Sequence, residues 1–341
     1  MEKAVQPPAD DEGPTISVRD LLKQGPRSLQ LRLAAGQAGL DRTIHQSRMQ
    51  RPGLALTGYT EYIRYGRVQI VGASEIGYLR KLTPSRRAAI LAKLARQRVS
   101  CFVVTTGLDP PTELLSQAEA QGTPVLVTKV QSTTLVKQLS AFLDDRLALR
   151  VQLHSVLTDV YGLGVLITGD SGIGKSECAL DLVDRGHRLV ADDVVEIKRT
   201  ADVLVGTSPE VTRYHMELRG LGVINIKDLY GISSIRTTKQ VELAVNLERW
   251  EAGREYERLG LGGEKFAILG IELPLIRMPV APGRNTALLV EVASRNHLLK
   301  QGGHDAARRF AERVDRMIAT RGREAPGGPG RAARRRTQGA T

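Results

Sequence analysis

The chain of 341 residues has few cysteines and few aromatic residues: two cysteines, one tryptophan and an aromatic fraction of 4%. The cysteines, Cys101 and Cys178, both stand in apolar surroundings, which excludes a disulfide-rich scaffold and indicates a reducing compartment. The sequence also lacks an apolar run of the roughly 20 residues that span a bilayer, and it shows no apolar signal segment. We therefore expect a cytoplasmic protein with no membrane partner.

Aliphatic residues are plentiful, and a hydrophobic fraction of 41% is enough for a substantial core. The length favours about two domains. A core made of Val, Leu, Ile and Ala with few aromatic rings is typical of α/β proteins, whose helices and buried strands use these side chains.

The formal net charge of +12 at first suggests a nucleic-acid partner. However, residues 321–341 contain six arginines and one glutamate, so a net charge of +5 lies in this short segment and +7 is spread over the rest. We predict a basic disordered tail over residues 321–341 and a flexible N-terminal segment over residues 1–14. A non-specific attraction of the tail to polyanions is the alternative, and no specific nucleic-acid partner is expected.

The hydrophobic pattern between these ends predicts two α/β domains. Residues 15–131 alternate strands with helices, which favours an N-terminal three-layer α/β domain with a mostly parallel sheet. Residues 132–150 form a long helical pattern, interpreted as a connecting helix. Residues 151–320 form the second domain, with several β-rich segments between Val203 and Val292 and an amphipathic helix over 304–318.

A glycine-rich motif in the second domain carries the strongest functional signal. Residues 169–176 fit the spacing G-x-x-x-x-G-K-[S/T], with an apolar strand before them and a helical pattern after them, as a P-loop requires. The glycines let backbone N–H groups face a polyphosphate at a helix N-terminus. Lys175 can then reach the β and γ phosphates, and the Ser176 hydroxyl can bind Mg²⁺. The predicted nucleotide-binding residues are Gly169, Asp170, Ser171, Gly172, Ile173, Gly174, Lys175 and Ser176; a glycine-rich turn that binds nothing is the alternative.

Two neighbouring carboxylates, Asp192 and Asp193, follow the next predicted strand. A parallel sheet would bring the carboxyl end of that strand beside the P-loop. One carboxylate could support the metal through water while the other accepts a proton from a hydroxyl nucleophile. The sequence leaves the division of roles open, and solvated turn aspartates are the alternative. His154, before the P-loop strand, is a weaker candidate, because a histidine in an apolar run is often a hydrogen-bonded core residue.

Three arginines and one glutamate complete the candidate residues. Glu217 and Arg219 lie in the stretch Met-Glu-Leu-Arg-Gly-Leu-Gly-Val-Ile-Asn of residues 216–225, whose acid, base and glycines indicate a phosphate-facing loop. Arg258 and Arg284 each offer a planar guanidinium to phosphate oxygens. Taken alone, either arginine is more typical of a protein surface.

Together these motifs resemble the bacterial HPr kinase/phosphorylase family. The resemblance covers most of residues 16–320 and runs through residues 154–157, 166–177, 185–193, 217–222, 258–260 and 279–285. The run Gly-His-Arg-Leu-Val-Ala-Asp-Asp, about 10 residues after the P-loop, is far more specific than the P-loop itself.

The resemblance implies phosphorylation of a serine on HPr, the small phosphocarrier of the sugar phosphotransferase system, with ATP or pyrophosphate as donor. It also implies the removal of that phosphate by phosphorolysis, which uses inorganic phosphate and yields pyrophosphate, and a role in regulating carbon metabolism. The implied assembly is a homohexamer. The implied catalytic fold is a P-loop kinase domain similar to phosphoenolpyruvate carboxykinase.

The resemblance also implies roles for individual residues. The residues matching His154, Lys175, Asp193 and Arg258 are catalytic, and the aspartate matching Asp193 exchanges a proton with the serine. Mg²⁺ is held by the residues matching Ser176 and Glu217. The stretch around Arg284 serves dephosphorylation, while Asp192 and Arg219 remain further candidates.

Two other functions fit the same motifs. One is a regulatory module that senses nucleotide without phosphate transfer to HPr, and the other is a kinase of a small molecule, as in carboxykinase-like proteins. Phosphoserine formation on HPr in the presence of Mg·ATP separates both from the HPr kinase.

Overall fold

A computed structural model describes residues 13–251, 263–281 and 283–324, which divide into two compact units. The first unit contains the chain up to Leu153 together with Glu196–Gly206 and Ala267–Ile271. The second contains His154–Val195, Thr207–Phe266 and the chain from Glu272 onward. Most of the predicted flexible N-terminal segment, residues 1–12, and residues 325–341 of the predicted tail lie outside the described residues.

The first half of the chain alternates short strands with helices, as its hydrophobic pattern predicts. The elements are β1 (Ile16–Ser17), α1 (Val18–Gln24), β2 (Arg32–Ala35), β3 (Thr43–Ile44), β4 (Val68–Val71), α2 (Ala73–Lys81), α3 (Pro84–Ala95), β5 (Cys101–Val104), α4 (Thr112–Gln121), β6 (Val125–Val127), α5 (Ser132–Arg146) and β7 (Arg150–His154). The sheet order is β2-β6-β5-β4. Strands β4, β5 and β6 are parallel and β2 is antiparallel to β6, so the mostly parallel sheet is confirmed.

Helices cover both faces of this sheet. Successive side chains of a strand point to opposite faces, and strands β4 and β5 are buried along their whole length. One face packs Ile70, Cys101 and Val103 against α1 and α5 through Leu21, Leu135, Leu139 and Leu143. The other packs Val71, Phe102 and Val104 against α2, α3 and α4 through Ile76, Leu79, Leu91, Leu94 and Leu114. The three-layer α/β prediction is therefore confirmed.

The helix predicted as a connector over residues 132–150 is α5, which ends at Arg146. Its apolar side chains recur every four residues, so they lie on one face of the helix. Leu135, Leu139 and Leu143 on that face are fully buried in the core of the first unit. The helix is thus one covering layer of the first unit.

The second half of the chain is richer in strands. Its elements are β8 (Val156–Val160), β9 (Leu163–Gly169), α6 (Lys175–Asp184), β10 (Arg188–Ala191), β11 (Val194–Thr200), β12 (Val203–Thr207), β13 (His215–Leu218), β14 (Gly222–Asn225), α7 (Ile226–Tyr230), β15 (Thr238–Val241), β16 (Leu243–Arg249), β17 (Lys265–Ile268), β18 (Ile271–Val280), α8 (Thr286–Gln301) and α9 (Ala306–Glu324). Strands β7, β11 and β12 are neighbours in one sheet, and β13 pairs with β14. Because α9 continues to Glu324, residues 321–324 of the predicted tail are helical.

A larger sheet with the order β10-β8-β9-β16-β18-β17 carries the P-loop strand. Strand β8 is antiparallel to both β9 and β10, while β16 is parallel to β9 and to β18. Strands β9, β10, β16 and β18 therefore run in one direction and end at the same edge of the sheet. Side chains of α6 and α8 pack against the apolar face of this sheet.

The β-rich prediction for residues 203–292 is wrong at its end, because α8 begins at Thr286. The Asn285 side chain caps this helix by accepting a hydrogen bond of 2.8 Å from the backbone N–H of Leu288. Apolar residues lie all round α8: Val290 is fully buried, whereas Leu288 and Val292 are exposed. Without one apolar face, the helical period is weak in the sequence.

Within the described ranges, no helix combines the length and the apolar character that a membrane crossing requires.

The position of α5 in the first core predicts a large effect of truncating it. We expect Leu139→Ala to lower the free energy of unfolding by about 2–5 kcal/mol, because it removes a fully buried leucine and leaves a cavity. The exposed Lys137 on the same helix provides the control, and Lys137→Ala should change the free energy of unfolding by less than about 0.5 kcal/mol. Urea unfolding followed by circular dichroism measures both; equal effects would place α5 outside the core.

Candidate active site

The glycine-rich loop connects the end of β9 to the start of α6. Gly169, Gly172 and Gly174 have φ angles of +135°, +78° and +103°, in the region that side chains with a Cβ rarely adopt. A Cβ on Gly169 would also lie 2.4 Å from the carbonyl oxygen of Leu247 on β16. The glycines are therefore required by the backbone of the loop and by its close approach to the neighbouring strand.

Lys175, the first residue of α6, folds back over this loop. Its side chain is 7% exposed, and Nζ donates to the carbonyl oxygens of Gly169 at 2.8 Å and Asp170 at 3.1 Å. Both acceptors are neutral. A phosphate oxygen entering the loop would be a stronger acceptor for the ammonium, because charge-assisted hydrogen bonds are roughly twice as strong as neutral ones.

Asp192 lies buried at the end of β10, with 3% of its surface exposed. The Ser176 hydroxyl donates to its Oδ1 at 2.8 Å, and the backbone N–H of Glu217 donates to its Oδ2 at 3.3 Å. Burial raises the pKa of Asp192 above its usual value; the two hydrogen bonds oppose this rise, while the charge of Asp193 adds to it. Both carboxylate oxygens are engaged in holding α6 and β13 in place.

Asp193 has a different environment, although it is the next residue. Its φ of +64° belongs to a three-residue turn in which Val194 N–H donates to the Asp192 carbonyl at 2.8 Å. The Asp193 carbonyl accepts from Ser155 N–H at 3.0 Å, which places the residue beside the start of β8. Its Oδ1 lies 3.1 Å from His154 Nδ1, and both side chains are 57% exposed. This carboxylate is therefore accessible and has an imidazole as its neighbour.

These side chains surround one cleft of about 170 Å³. It is lined by His154, Val156, Ser171, Gly172, Gly174, Lys175, Ser176, Glu177, Asp192, Asp193, Glu217 and Arg219. The structure thus brings together the glycine loop, both aspartates, the histidine and the glutamate that the sequence singled out. Arg219 approaches the loop so closely that a Cβ on Gly172 would lie 2.8 Å from its Nη1.

Two predicted arginines are not among these lining residues. Arg284 is exposed beyond β18, where its Nη1 donates to the carbonyl oxygen of Pro279 at 3.3 Å. Arg258 lies outside the described residues. Arg284 follows β18, which ends at the same sheet edge as β9. Glu177 was not predicted as a site residue. The one sequence feature that could have indicated it is its place as an acidic residue in the first turn of α6.

The donor atoms of the cleft suit a Mg²⁺ ion held by few protein ligands. Over the described residues, no set of three or more His, Cys, Asp or Glu side chains clusters as a metal site. The cleft instead offers the Ser176 hydroxyl and the carboxylates of Asp192 and Glu217. Mg²⁺ prefers such hard oxygen donors and completes its octahedron with phosphate oxygens and water, so these residues fit the ion.

Comparison with known proteins finds family models that match both halves of the chain and relatives that match most of it. The family model described as "HPr Serine kinase N terminus" matches residues 16–143, and the one described as "HPr Serine kinase C-terminal domain" matches residues 145–314. The chain is 52% identical over 301 residues to the HPr kinase/phosphorylase of Geobacter sulfurreducens, covering 88% of this chain and 94% of that protein. It is 42% identical over 304 residues to that of Halalkalibacterium halodurans, covering 89% and 97%.

A solved structure of the HPr(Ser) kinase/phosphatase from Coxiella burnetii is 37% identical over 47% of this chain and 98% of its own, with a TM-score of 0.43. The matched sequence families and the two relatives, which align over nearly their whole lengths, show that this chain belongs to the HPr kinase/phosphorylase family.

Proposed function

We propose that the chain transfers the γ-phosphoryl group of ATP, or a phosphoryl group of pyrophosphate, to a serine of HPr, and removes it by phosphorolysis. One observation carries the proposal: an accessible carboxylate, Asp193, lies beside His154 at the same cleft as a complete P-loop. The names of the relatives, HPr kinase/phosphorylase, support HPr as the substrate. By family membership we also propose a homohexameric, cytoplasmic enzyme without a specific nucleic-acid partner.

In the kinase direction, the loop amides and Lys175 bind the phosphates of the donor. Asp193 accepts the proton of the serine hydroxyl while the serine oxygen bonds to the γ-phosphorus and the bond to the leaving ADP breaks. A serine hydroxyl is a poor nucleophile near neutral pH, so a base within hydrogen-bond reach is required. Lys175 and the loop amides stabilise the charge of the moving group.

Asp192 and Asp193 have different roles in this proposal because their environments differ. Asp192 cannot reach a hydroxyl on another protein, because it is buried and both its oxygens are engaged. Asp193 can reach such a hydroxyl, because more than half of its side chain is exposed. We therefore assign proton transfer to Asp193 and the orientation of Ser176 to Asp192.

Ser176 and Glu217 would hold Mg²⁺, which when bound neutralises part of the phosphate charge. Asp192 orients Ser176 for this purpose through the hydrogen bond between the two side chains. The side chain of Glu217 lines the cleft, and its backbone N–H also binds Asp192.

In phosphorolysis, inorganic phosphate attacks the phosphoserine in the same cleft. The new P–O–P bond forms pyrophosphate while the bond to the serine oxygen breaks, and Asp193 passes the proton of the attacking hydrogen phosphate to the serine oxygen. The attacking phosphate needs cationic partners, and Arg219 lies next to the loop. Arg258 and Arg284 are further proposals for this role, as is His154, which lies at 3.1 Å from Asp193.

The direct test supplies purified HPr. With Mg·ATP, the protein should produce one phosphoserine on HPr, detected by mass spectrometry; subsequent addition of phosphate should remove it and release pyrophosphate. Nucleotide binding without phosphoserine would contradict the proposal and indicate a nucleotide sensor. ATP consumption with a metabolite, and none with HPr, would indicate a small-molecule kinase.

Asp193→Asn should lower the rate of both reactions by about 10²–10⁴-fold, because the amide cannot take or return the proton. ATP affinity should change little, since the phosphate-binding loop is intact. Asp184→Asn, an exposed aspartate at the end of α6 outside the cleft, serves as the matched control and should keep the parent rate. A near-normal rate for Asp193→Asn would remove this residue from the base role.

Asp192→Asn should stabilise the protein in a pH-dependent way. Burial raises the pKa of Asp192 in the folded state, so its contribution to stability is present below the unfolded value of about 3.9 and is lost as pH rises through the folded pKa. Asparagine does not ionise, yet it can accept from Glu217 N–H and donate to Ser176. The stability of the variant relative to the parent should therefore increase between about pH 4.5 and about pH 8 in urea unfolding. An equal difference between variant and parent at both pH values would contradict the assignment.

A further inference from the structure

A second group of polar side chains in the second unit lies outside the cleft and is centred on Glu291 of α8. Glu291 is buried, and its Oε1 is within hydrogen-bond distance of His187 Nε2 at 2.8 Å and accepts from the Tyr161 hydroxyl at 3.1 Å. Its Oε2 accepts from Arg185 Nη1 at 3.4 Å. None of these residues lines the cleft. With Arg295 they form what we call the Glu291 cluster: Tyr161, Arg185, His187, Glu291 and Arg295.

Ring contacts fix Tyr161 within this cluster. Its ring meets the His187 imidazole edge-on, with 4.6 Å between centroids and an interplanar angle of 82°. The guanidinium of Arg295 lies over the Tyr161 ring, 4.5 Å from its centroid, and hydrogen-bonds its hydroxyl. Tyr161 is thus held by a carboxylate, an imidazole and a guanidinium at the same time.

The carboxylate of Glu291 is the shared acceptor. Burial alone would raise the pKa of Glu291, but the hydrogen bonds from His187 and Tyr161 outweigh it and hold the pKa below its usual value. An ionised carboxylate only accepts, so His187 donates from Nε2. Removing this shared acceptor leaves the buried His187 without its partner and also takes the common partner from the partly exposed Tyr161 and Arg185.

The residues that Glu291 holds belong to three elements that lead to the cleft. Tyr161 stands in the turn before β9, which runs to Gly169. Arg185 follows α6, which starts at Lys175 and Ser176. His187 directly precedes β10, which ends at Asp192. In each element the contact with Glu291 lies at the end away from the cleft.

We propose that Glu291 is a positioning residue for phosphoryl transfer: by holding β9, α6 and β10 at one end, it fixes the spacing of the P-loop and the aspartate pair at the other. Catalytic groups lose efficiency when they shift by more than about 0.5 Å, so the relative placement of these elements affects the rate. Glu291 touches no reacting atom and acts only through the elements it connects.

A test that does not depend on the proposed function is amide hydrogen exchange of the whole protein. Glu291→Gln keeps the shape and one acceptor, whereas Glu291→Ala removes both acceptors. Both should speed exchange in peptides covering residues 164–178 and 187–195, with Ala having the larger effect. Ser294→Ala is the matched control, because Ser294 is a fully buried polar residue of the same helix whose hydroxyl donates only to Val290 in α8 itself. Unchanged exchange in both peptides, or an equal increase in Ser294→Ala, would overturn the proposal.

The kinetic part of the test rests on the proposed function. At a temperature where all variants are folded, kcat for HPr phosphorylation should fall about tenfold or more in Glu291→Ala and less in Glu291→Gln, with KM for ATP nearly unchanged. Ser294→Ala should keep the parent kcat. Faster exchange together with a parent kcat would overturn the positioning role. If the parent itself forms no phosphoserine, the proposed function fails, and the exchange result still decides whether Glu291 orders the loop.

Discussion

The direction of one strand determines the geometry of the site: β8 lies between β9 and β10 and is antiparallel to both. Strands β9 and β10 therefore point the same way, and the P-loop and the aspartate pair emerge from the same sheet edge. Two strand spacings separate them, roughly 10 Å. The start of β8 lies between them, so His154, just before β8, is next to Asp193.

Two adjacent carboxylates acquire different chemistry from this arrangement. Asp192 points to α6 and β13 and is buried with Ser176 and Glu217 as donors. Asp193 sits in a three-residue turn with a positive φ, and its side chain faces the open cleft. Aspartate tolerates this conformation better than most residues with a Cβ, but it still costs energy relative to an extended backbone. Because of this turn, Asp192 is buried within the protein while Asp193 is accessible from the cleft.

Sequence could predict the parts of this protein that depend on neighbours along the chain. The alternation of strands and helices over residues 15–131 and the strand, loop and helix around residues 169–176 were predicted correctly, because apolar periodicity and a complete P-loop are local patterns. Helix α8 was missed because it has no single apolar face. The sequence also could not predict that β8 lies between β9 and β10, or that Asp192 and Asp193 differ in burial. Both depend on contacts between residues that are far apart in the sequence. The Glu291 cluster joins residues 104 and 130 positions apart, which no local period reveals.

An enzyme that acts on a serine of another protein needs an open cleft, and His154 and Asp193 are more than half exposed. Such a site cannot gain precision by enclosing its substrates, so the positions of its groups must be fixed from the protein side. Lys175 and Asp192 are buried beneath the cleft, and a buried carboxylate joins the far ends of the elements that carry them. The cleft is therefore open at one end of β9, α6 and β10, and the hydrogen bonds of Glu291 hold these elements in place at the other end.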